Sequence, residues 1–74
     1  MPYNGHKNWN HWNVSLWLFN DETMYTLMTE AVSDSKTLDE AATRICNMFG
    51  GHATPDGAPY TFTSIRAALV GWDG

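Results

Sequence analysis

Asn10-His11-Trp12-Asn13-Val14-Ser15-Leu16-Trp17-Leu18-Phe19 decides the fold, because both regular periods fit it. Read as a strand, Trp12, Val14, Leu16 and Leu18 alternate with Asn13 and Ser15. Read as a helix, Trp12, Leu16 and Phe19 share one face, and Trp9 extends that stripe backwards. Two arguments favour the helix over residues 10–19. A lone strand needs a partner and the rest of the chain offers only weak ones. Asn8 or Asn10 is also well suited to cap a helix start.

Downstream, Asn20-Asp21-Glu22 ends one element and opens the next, with Asp21 as a cap and Glu22 adding charge at the positive end of the helix. Met24, Leu27, Met28, Ala31 and Val32 then follow at amphipathic spacing, which predicts a helix over 21–32. After a polar break at Ser33–Lys36, Thr37-Leu38-Asp39-Glu40 matches the capping box. Leu38, Ala41, Ala42, Ile45, Cys46 and Phe49 extend the apolar face to 49, and Gly50-Gly51 stops it. Residues 52–59 read as a loop around the turn Pro55-Asp56-Gly57, and Tyr60-Thr61-Phe62 as a short extended run. Thr61 or Thr63 can cap a last helix over 64–72, with Ile65, Ala68, Leu69 and Trp72 on its inner face and Gly71 near its end. Upstream, residues 1–9 are polar and asparagine-rich and read as an extended arm, tied down by Tyr3 and Trp9. The fold class expected is all-α, a single small bundle of three to four short helices.

Composition narrows the functional classes. The chain has 74 residues, a formal charge of −4 from eight acids and four Lys+Arg, 43% hydrophobic residues and 14% aromatic ones. Low charge with many aromatics excludes a disordered acidic tail. One cysteine excludes an intramolecular disulfide framework. The longest apolar run, Leu16-Trp17-Leu18-Phe19, is far below the roughly 20 residues that span a bilayer, so no membrane role is expected. Residues 1–8 lack the apolar core of a signal peptide, and the expectation is a soluble, cytoplasmic protein. A chain of this length buries only about 60% of its unfolded surface, so a homodimer is a reasonable expectation.

Chemistry is harder to place. His6, His11, His52 and Cys46 form no recognised ligand pair, so no metal and no cofactor is expected. Cys46 with His52 could be drawn as a thiolate site, but the stripe position predicts a buried thiol. Serines 15, 33, 35 and 64 lack a nucleophile-elbow context, and the Asp21-Glu22 and Asp39-Glu40 pairs are explained by capping. Gly50-Gly51 follows a helix, where a phosphate-cradling loop would precede one. No enzyme is therefore expected. Lys7, Lys36, Arg44 and Arg66 are scattered, which disfavours direct nucleic-acid binding even with Trp9, Trp12, Trp17 and Trp72 available to stack. The acids gathered between Asp21 and Glu40 leave open an acidic modulator or inhibitor of a host nucleic-acid enzyme or defence complex. What stands out is the aromatic surplus near the start. Tyr3, His6, Trp9 and His11 form the candidate binding set, because such side chains dominate interaction hot spots.

Tyr3-Asn4-Gly5, Asn8, Trp12, Leu16-Trp17, Asn20-Asp21-Glu22 and Tyr25 together resemble a family of small bacteriophage and mobile-element proteins. Their N-terminal halves read approximately Tyr-Asn-Gly-Trp, Asn, Glu-Thr-Trp, Leu-Trp, Asn-Asp-Glu, Tyr. His6 stands where that pattern has tryptophan, and Asn10-His11 where Glu-Thr would precede Trp12. The resemblance covers about the first third of the chain and brings no activity with it. It implies a small helical accessory protein in the bacterial host cytoplasm that works by binding a host or phage protein.

Overall fold

A computed structural model describes residues 8–70 as four helices: α1 (Trp9–Asn20), α2 (Glu22–Ser33), α3 (Leu38–Phe49) and α4 (Phe62–Val70). The all-α expectation holds, and among the described residues the only extended pairing is an isolated bridge between Ala53 and Pro59. Each helix packs on two others, α1 on α2 and α4, and α3 on α2 and α4, so the four close into a ring. Val14, Leu18, Met28, Ala42, Ile45 and Ile65 are fully buried at its centre. Each large side chain among them contributes about 1.5–3 kcal/mol by leaving water.

The caps set the boundaries. Asn8 accepts from the His11 N–H at 3.0 Å and starts α1 one residue before the expected 10, so Trp9 belongs to the helix and not to an arm. Asp21 receives the Met24 N–H and starts α2. Thr37 receives the Glu40 N–H as expected, but Glu40 reaches back to the N–H of Lys36 and not to that of Thr37. Thr61 caps α4 through the Ser64 N–H, and the Ser64 hydroxyl receives the Thr61 N–H in return. That reciprocal pair begins α4 at Phe62, two residues before the expected 64, and places Phe62 in the helix, so the Tyr60-Thr61-Phe62 run is not extended throughout. Gly51 takes the left-handed conformation (φ +86°) that lets the chain leave α3. The expected contributions of Trp72 and Gly71 lie outside the described residues, as do Tyr3 and His6.

The inner face of α1 differs from the expected stripe. Val14 and Leu18 are buried with Asn13 and Ser15, while Leu16 is 36% exposed and Trp12, Trp17 and Phe19 are half-buried. The shift has a physical reason. The segment between α3 and α4 folds into a hairpin that offers polar partners to α1, so Asn13 can be buried with its hydrogen bonds made. Leu38, counted as core, is likewise 38% exposed at the first turn of α3.

Candidate interaction surface

Of the four candidate residues, Tyr3 and His6 lie outside the described residues, and the structure places Trp9 and His11. Trp9 sits in the first turn of α1 with 38% of its surface exposed. His11, two positions on, is half-buried. Side chains two apart on a helix point to different sides, so Trp9 and His11 do not share a face. Trp9 is the member whose ring is open to a partner.

A second constellation, missed by sequence reasoning, joins α1 to the hairpin. Pro55-Asp56-Gly57 forms its tip: the Gly57 N–H donates to the Thr54 carbonyl at 2.8 Å, and Gly57 adopts φ +99°. This is the turn-plus-bulge geometry that favours glycine at that position. The Thr54 N–H donates to the Ala58 carbonyl, and the Ala58 N–H returns a bond to the Thr54 hydroxyl. That hydroxyl donates onward to Asn13 Oδ1. Asn13 Nδ2 then donates to Asp56 Oδ2 at 2.8 Å, and Trp17 Nε1 donates to the same oxygen at 3.0 Å. The two bonds hold the Asp56 carboxyl below its ordinary value of 3.8, Asn13 contributing more than Trp17 and burial opposing both. Three of these bonds, from Thr54 to Asn13 and from Asn13 and Trp17 to Asp56, hold the hairpin on α1, and the others shape the hairpin itself.

The third feature is a groove of about 340 Å³ between α2 and α3. Its apolar lining comes from Leu27 and Ala31 of α2 and from Met48 of α3, which is 43% exposed. Glu30 and Asp34 border it on the α2 side, Arg44 and Asn47 on the other. Arg44 pairs along its own helix with Glu40 at 3.4 Å. The helical period would have grouped Leu27 with Ala31. Only the packing of α2 on α3 reveals Met48 beside them.

The remaining readings find less to stand on. Cys46 is half-buried against the core, and no hydrogen bond links it to His52 among the described residues. No group of three or more metal-ligating side chains occurs among those residues. Among the described residues no helix is long and apolar enough to cross a membrane. Asp39 pairs with Arg66, which joins α3 to α4, so two of the acids counted toward an acidic surface, Asp39 and Glu40, face arginines.

The model of a family of unknown function, DUF7249, matches residues 1–70, and the chain belongs to that family. No curated protein and no solved structure matches it.

Proposed function

We propose that this member of the DUF7249 family is a small non-catalytic accessory protein of phage or mobile-element type that works as a protein-binding module in the bacterial cytoplasm. The observation that supports the reading is the placement of Trp9. A large aromatic ring at the first turn of α1 keeps 38% of its surface in water, outside the buried core. Exposed tryptophan supplies a large contact area with few rotatable bonds, which is why it recurs at binding hot spots. The adjoining Tyr3 and His6 are close enough in sequence to extend such a contact.

The test is affinity capture from the host with the whole chain and with Trp9→Ala as parallel baits. The expected result is a host or phage protein that the wild-type bait recovers and Trp9→Ala does not, with an unchanged melting temperature for the variant. Equal recovery by both baits, or nothing above a mock bait, contradicts the reading. A large loss of stability in Trp9→Ala contradicts it as well, because it makes Trp9 part of the core.

A further inference from the structure

We infer that the groove between α2 and α3 docks a basic, amphipathic segment of a partner protein, an apolar side chain entering beside Met48 and a lysine or arginine meeting Glu30 and Asp34. The inference rests on the protein-binding reading and adds to it a second face and the chemistry of its occupant.

Charge on α2 is the first support. Glu30 lies in the last turn of α2 and Asp34 is its C-cap residue, where the backbone carbonyls already concentrate negative charge. Carboxylates are unfavourable at that end and cations are favoured, yet no basic residue occupies the last turn. Among the described residues neither acid forms an ion pair. The other end of the helix follows the rule, with Asp21 as cap and Glu22 in the first turn. The Asp34 backbone N–H closes the helix on the Glu30 carbonyl, but the two carboxylates themselves do no capping work.

Apolar surface is the second support. Leu27, Ala31 and Met48 line the same groove that the two acids border, so an incoming side chain could bury apolar area and bring its cation to the carboxylates in one placement. That juxtaposition fits a helix face or extended strip with lysine or arginine beside leucine-sized residues. A second copy of this chain fits less well. The groove presents two carboxylates against one arginine already engaged by Glu40, and each chain carries a formal charge of −4. Two such faces repel.

The probe is a pair of synthetic amphipathic helical peptides with one shared leucine face, differing only in lysine against glutamate on the polar face. Each is titrated into the whole chain at low salt while methyl and amide resonances are followed. The lysine peptide is expected to shift Leu27, Ala31 and Met48, and the glutamate peptide to leave them in place. The double variant Glu30→Gln/Asp34→Asn is expected to bind the lysine peptide about 5-fold more weakly or worse, as lost rim charge pairs allow. Met48→Gln should weaken it while leaving net charge unchanged, and Glu22→Gln, at the opposite end of α2, should leave binding unchanged. Equal weakening by Glu22→Gln would show attraction by net charge alone and would overturn the inference. Shifts confined to other surfaces, or a concentration-dependent homodimer occupying the groove, would overturn it too. Failure here with capture still dependent on Trp9 removes the groove and leaves the binding module; failure of both removes the module.

Discussion

Asp56 carries its charge at the exposed tip of a hairpin and still takes part in folding, because both N–H groups it accepts from lie on α1. Those bonds favour the carboxylate, so its folded value lies below the ordinary 3.8. The sign follows from linkage. A carboxyl whose value is depressed by folding stabilises the native state above its unfolded value, and the contribution disappears as pH falls through the lower, folded one. Acid titration of stability is therefore expected to steepen below about pH 4, and Asp56→Asn to remove that part of the slope. Trp17 fluorescence reports the same event locally, and an identical acid limb in wild type and variant would refute the clasp. Little of this was legible in the sequence. Pro55-Asp56-Gly57 announces its turn, but the partner Asn13 is 43 positions from Asp56 and looks, within an apolar run, like a residue bound for solvent. Its burial depends on Thr54 and Asp56 arriving from elsewhere in the chain, and no local pattern carries that information.

At the scale of elements, α3 shows where sequence reading works. Thr37 caps it, Gly51 releases it, and Ala41, Ala42 and Ile45 are buried along one face as the 3.6-residue period requires. Ile45→Asp places an unpaired charge in the centre of the ring and is expected to cost about 4 kcal/mol or more, enough to unfold much of a domain this small. Thermal melting followed by circular dichroism checks it, and an unchanged midpoint would contradict the core assignment. α1 shows the opposite case. Its period fits helix and strand alike, so the helix was legible only from an asparagine cap and the lack of a strand partner. Its inner face was not legible, because Trp12, Leu16 and Phe19 outweigh Asn13 and Ser15 in any hydrophobic pattern. The structure turns that face by accepting polar residues into the contact with the hairpin, where their hydrogen bonds are made. α4 differs at its start for a related reason, since Ser64, 1% exposed, completes the cap with Thr61 and draws Phe62 into the helix.

Taken as a whole molecule, the chain divides its residues between those that close the ring and those that the ring leaves aside. Leu18, Ile45, Ile65 and Leu69 belong to the first group, as do the capping side chains and the Asp56 clasp. Trp9, Met48, Glu30 and Asp34 belong to the second. Two of these stay apolar in water, and two place negative charge at the negative end of a helix. The proposed binding role would account for side chains that sit where folding alone would not put them. The most direct measurement is the thermal unfolding midpoint of Glu30→Gln/Asp34→Asn against wild type at low ionic strength. Relief of about 0.3–1 kcal/mol at each position should raise the midpoint by several degrees. A fall in the midpoint would mean that the two carboxylates hold the fold together, and the division between folding and binding residues would be wrong.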